Sequence, residues 1–268
     1  MIRVIVMGAG GRMGCRICSL LDGAEDLELA GAVEIPGHPL VGEDIGDALA
    51  LSARGVKVSG SLEDCVDAGD VIIDFTHHDA VVNNLEITAR HKKAAVIGTT
   101  GLTARELEAV VRLAAQTRCV LAPNMSVGVN VMFRMLDSVA RILGDDYDVE
   151  IVEAHHNQKK DAPSGTAVMM AQVVARALGR NMDDVGVYER RGMTGARTKQ
   201  EIGIQTIRAG DIVGEHTVIF GGMGERLEFI HRAHSRDNFA RGALRAARWV
   251  VNQPKGLYDM QDVLGLKE

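Results

Sequence analysis

The sequence predicts an α/β protein in which a parallel, doubly wound sheet is followed by an α+β domain with an open mixed sheet. In the first half, short apolar runs bounded by Gly, Asp or Pro alternate with amphipathic stretches. This pattern is typical of strands that are buried on both faces and joined by crossover helices. After about residue 125, several strand-like segments follow one another with few helices between them. The change indicates a second domain of a different class.

The strands of the first sheet are predicted at residues 2–7, 27–33, 71–73, 94–97 and 119–122, where the apolar runs lie. Such runs are short for helices and are flanked by turn-forming residues. The helices between them are predicted to begin near Arg12 and to span residues 79–92 and 103–118. Thr103 followed by Glu106 matches the capping box, which predicts a helix start at that point.

The second part is predicted to begin with a helix over residues 130–143, whose apolar residues fall on one face. Residues 148–154 alternate between apolar and polar, as a strand with one solvated face does. A helix over residues 165–178 stops before Gly179, a common C-terminal signal. Further strands are predicted at 203–208, 216–220 and 226–231, and a last helix at 238–251. The charged, Gly-rich stretch 183–200 is predicted to be a mobile loop.

Composition excludes several classes of protein. The chain has 268 residues, 46% of them hydrophobic, and a net charge of −6, so it lacks the basic footprint of a nucleic-acid partner. It contains no run of about 18 uncharged apolar residues, so no membrane span is expected. The first residues lack a signal-peptide pattern, and four cysteines do not make a disulfide scaffold. We therefore expect a cytoplasmic protein.

A glycine-rich turn follows the first predicted strand and opens the first predicted helix, in the sequence Gly8-Ala-Gly-Gly-Arg-Met-Gly14. Glycines allow close backbone approach, and a helix N-terminus offers free N–H groups to a pyrophosphate. Strand, turn and helix in this order indicate a Rossmann-like dinucleotide site. The spacing departs from the strict G-x-G-x-x-G motif. FAD, S-adenosylmethionine and a turn without a ligand remain alternatives to a nicotinamide dinucleotide.

Glu34 lies 20 residues after Gly14, at the end of the second predicted strand. An acidic residue at this point binds the ribose hydroxyls of a dinucleotide. The carboxylate would repel a 2′-phosphate, and Ile35 supplies no partner for one, although Arg12 could reach that region. The sequence therefore predicts a preference for NADH or the use of both NADH and NADPH.

A second turn, Gly98-Thr-Thr-Gly101, follows the strand at 94–97 and precedes a helix. This places it at the carboxyl edge of the sheet, where ligands bind in such folds. A helix cap without a ligand explains the same residues equally well.

The richest chemistry lies in Glu153-Ala-His-His-Asn-Gln-Lys-Lys-Asp-Ala-Pro-Ser-Gly-Thr166. Adjacent side chains on a strand point to opposite faces, so His155 and His156 do not predict a shared metal ion. Histidine titrates near neutrality, lysines follow it, and Ser164 opens a helix whose N–H groups could hold a carboxylate. The pattern fits a histidine proton donor acting on an acidic substrate, and a solvated polar loop is the alternative.

This segment resembles the signature of the dihydrodipicolinate reductases, also called 4-hydroxy-tetrahydrodipicolinate reductases. The resemblance covers nearly the whole chain. It includes the glycine turn and the segments 74–76, 98–101, 124–130, 208–216 and 224–228. It implies reduction of a cyclic dicarboxylate imine to tetrahydrodipicolinate by NADH or NADPH, with loss of water, in lysine and diaminopimelate biosynthesis.

The resemblance also implies residue roles. His155 would be the catalytic proton donor, Lys159 a second donor, and His156, Ser164, Gly165 and Thr166 would hold the substrate carboxylates. The cofactor would contact Gly8, Ala9, Gly10, Gly11, Arg12, Met13, Glu34, Gly98, Thr99, Thr100, Ala122, Pro123, Asn124 and Met125. Such enzymes are homotetramers that associate through the second domain. Residues 1–126 with 236–268 would form the nucleotide domain, and 127–235 the substrate and oligomerisation domain.

The chain departs from the family pattern at three places. Ile35 stands where an Arg for the 2′-phosphate is common, and Lys160 where an apolar residue is common. The segment His77-His78-Asp79-Ala80 stands where a Pro and a Gly are usual. The roles of His77, His78 and Lys160 stay open. Two other functions remain possible at this stage: another two-domain NAD-dependent dehydrogenase of amino acids or sugars, and a non-catalytic NAD-sensing regulator.

Overall fold

The structure is a computed structural model that describes residues 1–52 and 55–267. It divides into two compact units, one formed by Met1–Val127 with Arg236–Glu268 and the other by Gly128–Ser235. No helix in the described part of the chain is both long and apolar enough to cross a bilayer.

The strands in chain order are β1 (Ile2–Met7), β2 (Leu27–Val33), β3 (Val58–Ser59), β4 (Val71–Asp74), β5 (Ala94–Ile97), β6 (Arg118–Leu121), β7 (Asp148–His155), β8 (Gly186–Val187), β9 (Ile202–Arg208), β10 (Gly214–Gly221), β11 (Arg226–Ala233) and β12 (Gly256–Tyr258). The helices are α1 (Arg12–Leu21), α2 (Ile45–Ala48), α3 (His78–Arg90), α4 (Ala104–Ala114), α5 (Val127–Leu143), α6 (Gly165–Ala177), α7 (Met182–Val185), α8 (Asp237–Val250) and α9 (Met260–Val263). Short 3-10 helices cover Val66–Ala68 and Gly144–Asp146.

The first unit is built on a seven-stranded sheet in the order β12-β6-β5-β4-β1-β2-β3. Every pairing in it is parallel. The chain order reverses between β1 and β4, which is the topological switch point where ligands bind at the carboxyl ends of the strands. The predicted Rossmann-like, doubly wound parallel sheet is confirmed.

Both faces of this sheet are covered by apolar packing. Along β1, Val4 and Val6 belong to one buried cluster, while Ile5 and Met7 belong to another. Alternate residues of a strand point to opposite faces, so each face has its own core. Helix α8 packs into the first of these clusters through Ala243 and neighbouring residues. Helix α8 therefore belongs to the first unit, although it follows the second unit in the chain.

The second unit contains a five-stranded sheet in the order β11-β10-β7-β9-β8. β7 is antiparallel to β10 and parallel to β9, so the sheet is mixed, as the sequence predicted. Its buried face packs against apolar residues of α5 and α6, among them Leu136 and Met170. Val149 and Ile151 alternate on that face of β7 with residues that are less buried. One face of the sheet is therefore core.

Several predicted boundaries differ from the structure. The helix predicted at 79–92 is α3, which ends at Arg90 because Lys92 adopts a positive φ of 58°. The helix predicted at 103–118 is α4, whose capping box at Thr103 is confirmed, but it ends at Ala114. The chain then needs residues 115–117 to turn before β6 begins at Arg118.

The stretch 183–200 was predicted to be a mobile loop, and this is wrong in part. It contains the end of α7 and the strand β8. Arg190 and Arg197 also hold it to the sheet through Glu150, at 2.8 and 3.2 Å. The sequence shows the charges, but only the fold brings their partners within reach.

Candidate active site

The glycine turn between β1 and α1 has the backbone geometry that its sequence demands. Gly8 adopts a φ of +66°, and its N–H donates to the carbonyl oxygen of Val33 at 2.8 Å. A Cβ on Gly14 would lie 2.0 Å from the carbonyl oxygen of Gly8, so α1 approaches the turn too closely for any side chain there. Gly11 is the N-cap of α1. The turn thus presents a helix N-terminus at the carboxyl end of β1, as a pyrophosphate site requires.

Glu34, the predicted ribose-binding residue, lies against this turn. Its Oε1 accepts the N–H of Gly10 at 2.8 Å, and its Oε2 accepts the N–H of Ile35 at 3.2 Å. A Cβ on Gly10 would meet the side chain of Leu40 at 2.8 Å and Glu34 Oε1 at 3.3 Å. Turn, helix start and carboxylate therefore lie together, and these residues fit a nicotinamide dinucleotide.

The other predicted cofactor residues follow β5 and β6, neighbours in the parallel sheet. Gly98 lies against the ring of Phe75, which a Cβ would approach to 2.2 Å. The hydroxyl of Thr99 donates to the carbonyl oxygen of Thr76 at 3.1 Å, and the N–H of Ala122 donates to Ile97 at 3.0 Å. Thr100 and Pro123 are exposed, whereas Met125 is buried beneath α8. The turns that follow β1, β4, β5 and β6 thus share one edge of the sheet.

His77 and His78, whose roles the sequence left open, lie beside carboxylates at the start of α3. His78 Nδ1 lies 2.9 Å from Glu106, whose hydrogen bond raises the pKa of that imidazole. The hydrogen bonds from His78 and Thr103 lower the pKa of Glu106 to about 2. His77 and His78 also lie 3.2 Å from Asp79. These contacts join the first turns of α3 and α4 beside the predicted cofactor edge.

In the second unit, a glutamate occupies a core position of β7. Val149, Ile151 and Glu153 are successive members of its buried face, and Glu153 is 0% exposed. His155 is the next residue on the same face because side chains on a strand repeat every two residues. Its Nδ1 lies 2.6 Å from Glu153 Oε2.

Five hydrogen bonds satisfy the Glu153 carboxylate. Oε2 accepts from His155 and from Arg208 Nη1 at 2.8 Å. Oε1 accepts from Arg208 Nη2 at 2.8 Å, the N–H of Ser164 at 3.0 Å and the hydroxyl of Thr206 at 3.2 Å. Burial alone would raise the pKa of Glu153, but the hydrogen bonds from His155, Arg208 and Ser164 lower it to about 2. The buried group is therefore a carboxylate.

Strand register places these residues in two rows. Thr206, Glu153 and His216 are paired across β9, β7 and β10, and Arg208 pairs with His155 in the next row on the same face. His216 is 4% exposed, and its Nε2 lies 3.1 Å from the hydroxyl of Ser164. Burial and the neighbouring His155 lower the pKa of His216 to about 3, so its imidazole is neutral.

The remaining predicted substrate residues surround this network in the second unit. Ser164 is the N-cap of α6 and accepts the N–H of Ala167, and Gly165 and Thr166 form the first turn. Lys159 Nζ lies 2.9 Å from both carboxylate oxygens of Asp161. The carbonyl oxygen of His156 accepts the N–H of Lys159, and Lys160 is exposed. The structure thus joins His155 to Ser164 through Glu153, while Lys159 pairs with Asp161.

Two family models cover almost the whole chain. The model of the dihydrodipicolinate reductase N-terminus matches residues 2–125, and that of the C-terminus matches residues 128–264. The chain belongs to the dihydrodipicolinate reductase family. It is 61% identical over 267 residues to 4-hydroxy-tetrahydrodipicolinate reductase from Syntrophus aciditrophicus (strain SB), and 58% identical to the protein of that name from Geotalea daltonii. Each match covers 100% of both chains.

Solved structures agree with the family. The dipicolinate-bound dihydrodipicolinate reductase from Paenisporosarcina sp. TG-14 has a TM-score of 0.76 and 28% identity, and the match covers 98% of each chain. An amine dehydrogenase from Mycobacterium smegmatis has a TM-score of 0.60 at 16% identity, over 96% of this chain and 94% of that one, and so shares the fold.

The sequence reasoning assigned no role to Glu153, Arg208 or His216, although all three lie in segments that resemble the family. The alternation of β7 indicates Glu153, because this residue follows Val149 and Ile151 at the two-residue spacing of the apolar face. Thr206 and Arg208, which supply three of the five hydrogen bonds of Glu153, are more than 50 residues away on β9. The tertiary structure alone brings them to it.

Proposed function

We propose that this chain reduces 4-hydroxy-tetrahydrodipicolinate to tetrahydrodipicolinate, with loss of water, in lysine and diaminopimelate biosynthesis. The observation that supports this most directly is the hydrogen bond between His155 and the buried Glu153. Glu153 also accepts the N–H of Ser164 at the start of α6. This arrangement sets a proton donor beside a helix N-terminus suited to carboxylates. It lies in a chain 61% identical to a protein named for that reaction.

The first unit would bind the nicotinamide dinucleotide, which supplies a hydride when it is bound in its reduced form. The turn from Gly8 to Met13 would hold the pyrophosphate and Glu34 the ribose hydroxyls. Residues 98–100 and 122–125 would line the remaining length of the cofactor. Glu34 disfavours a 2′-phosphate through charge repulsion. Ile35 is 70% exposed, but its side chain carries no charge that could bind a 2′-phosphate. We therefore propose a preference for NADH or the use of both cofactors.

The second unit would bind the dicarboxylate. Gly165 and Thr166 in the first turn of α6, with Ser164 and His156, would hold the two carboxylates. His155 would donate a proton to the ring carbon that becomes electron-rich after hydride addition, and Lys159 would be a second proton donor. A positioned acid of this kind accelerates a reaction by about 10²–10⁴.

The assembly and location are part of the same proposal. The chain would form a homotetramer through the second unit, whose sheet has one face not covered by α5 or α6. Ile207 on β9 and Ile230 on β11 are 46% and 48% exposed. The four cysteines, all in the described residues, are free thiols, which is typical of a reducing cytoplasm.

The test supplies the condensation product of pyruvate and aspartate semialdehyde and follows oxidation of NADH and of NADPH separately. We expect His155→Ala and Lys159→Ala to lower kcat by about 100-fold or more. Lys199→Ala, which removes an exposed cation of the same unit, is expected to keep wild-type rates. Wild-type protein that oxidises neither cofactor with this substrate would contradict the proposal.

The same assay tests the cofactor preference with Ile35→Arg. A charge-assisted hydrogen bond to a 2′-phosphate contributes about 1.5–3 kcal/mol. The NADPH to NADH ratio of kcat/KM should therefore rise by about tenfold or more. An unchanged ratio would show that residue 35 does not face the 2′ position.

A further inference from the structure

We infer that Glu153 is a positioning residue that fixes the reactive nitrogen of His155 and, with its other oxygen, the start of the carboxylate-binding helix. The inference rests on the proposed function, since it assigns how that site is held. Glu153 is 0% exposed, so its carboxylate would act through its neighbours.

Glu153 selects the tautomer of His155. An ionised carboxylate only accepts hydrogen bonds, so the His155 nitrogen that lies 2.6 Å from Glu153 Oε2 must be the protonated one. This leaves Nε2 as the ring atom that can exchange a proton with a substrate. The strand opposite supplies Gly214, where a Cβ would lie 3.0 Å from Nε2. The glycine keeps space around the nitrogen that the carboxylate selects.

Glu153 also holds the start of α6. Glu153 Oε1 accepts the backbone N–H of Ser164 at 3.0 Å, and Ser164 is the N-cap of α6. The hydroxyl of Ser164 is used by Ala167 N–H and lies 3.1 Å from His216 Nε2. The backbone and the side chain of the cap are thus both fixed, and the carboxylate fixes the backbone.

The two oxygens of the Glu153 carboxylate are not equivalent. Oε1 accepts three donors, from Ser164, Thr206 and Arg208. Oε2 accepts two, from His155 and Arg208. An amide of the same shape would satisfy more donors with its carbonyl oxygen at the Oε1 position. Its NH₂ group would then face His155 Nδ1 and donate to it.

This asymmetry makes Glu153→Gln a separating variant. The substitution preserves the volume and the acceptor for Ser164, so the helix start stays in place. It reverses the hydrogen bond to His155, whose proton must move to Nε2. It also removes the acceptor of Arg208 Nη1, while Arg208 Nη2 keeps the oxygen at the Oε1 position. Glu153→Ala removes both functions. Glu63→Gln is the matched control, because Glu63 is an exposed glutamate of the first unit that also contacts a histidine, His91, at 3.0 Å.

Three measurements decide the inference. Long-range ¹H–¹⁵N spectra at alkaline pH should show the His155 proton on Nδ1 in the wild type and on Nε2 in Glu153→Gln. Calorimetry with dipicolinate should give a Kd within about threefold of wild type for Glu153→Gln and at least tenfold weaker for Glu153→Ala. Turnover of Glu153→Gln should fall by about 10²–10⁴ in kcat with little change in KM. Glu63→Gln should match the wild type throughout.

A Glu153→Gln protein that keeps the wild-type His155 tautomer, or keeps kcat within threefold, would overturn the inference. If Glu153→Ala does not fold, the His155 tautomer and the kcat of Glu153→Gln still decide the inference. The spectra and calorimetry need no turnover. Wild-type protein that shows the expected tautomer but no reductase activity would therefore refute the proposed function and leave the positioning role standing.

Discussion

Replacing Gly14 by alanine tests whether close approach of α1 to the glycine turn creates the dinucleotide site. The new Cβ would lie 2.0 Å from the carbonyl oxygen of Gly8 and 2.7 Å from the Cα of Ala9, both backbone atoms. Ordinary contact begins at 3.4 Å, so helix and turn must separate. Because the same carbonyl oxygen accepts the N–H of Gly11 at 2.9 Å, the separation also disturbs the N-cap.

The magnitude follows from two opposing effects. Overpacking of this kind costs about 1–3 kcal/mol, and alanine regains about 0.5–1 kcal/mol over glycine inside a helix. We expect the free energy of unfolding to fall by about 1–2 kcal/mol. The Kd for NADH should rise at least tenfold, which corresponds to about 1.4 kcal/mol, because the N–H groups no longer converge on the pyrophosphate.

Urea unfolding and fluorescence titration with NADH measure the two effects. The control is Gly23→Ala, just after α1, where an added Cβ meets nothing within 4 Å. It should leave both quantities unchanged. If Gly14→Ala retained wild-type stability and affinity, the tight approach would have no part in binding, and the reasoning would fail.

Two further predictions concern the second unit. Because burial lowers the pKa of His216 to about 3 from about 6.5 in the unfolded chain, the unfolded state binds an extra proton between these values. The His216 contribution to stability is therefore lost as pH falls below 6.5, by about 2 kcal/mol between pH 7 and pH 5. Urea unfolding at several pH values should show that the free energy of unfolding falls less between pH 7 and pH 5 in His216→Gln than in the wild type. An equal fall in both proteins would contradict this. Gly214→Ala, which places a Cβ 3.0 Å from His155 Nε2, should lower kcat by about tenfold through displacement of the ring. Gly221→Ala, at the last residue of β10, adds a Cβ that meets nothing within 4 Å and should leave kcat unchanged. A wild-type kcat for Gly214→Ala would show that the His155 ring has room for the added Cβ.

The sequence predicted the first sheet best where strands are buried on both faces. β1, β2 and β5 begin and end at the predicted residues. β3, β8 and β12 were not predicted, because strands of two or three residues are too short to show an apolar period. They exist because a neighbouring strand edge offers hydrogen bonds, as β6 does for β12.

The resemblance to the family singled out His155 as the candidate proton donor. What the sequence determined by itself is the order of strands and helices and the glycine turn with its acid at Glu34. These features are local, since each is read from residues that are neighbours along the chain or repeat at a helix or strand period. The tertiary structure alone decided what surrounds them. Glu153 became a buried carboxylate with five donors only because β9 and α6 deliver Thr206, Arg208 and Ser164 to it. A charge can be buried only when its partners are supplied in full, and strand register, which no local pattern encodes, supplies them here.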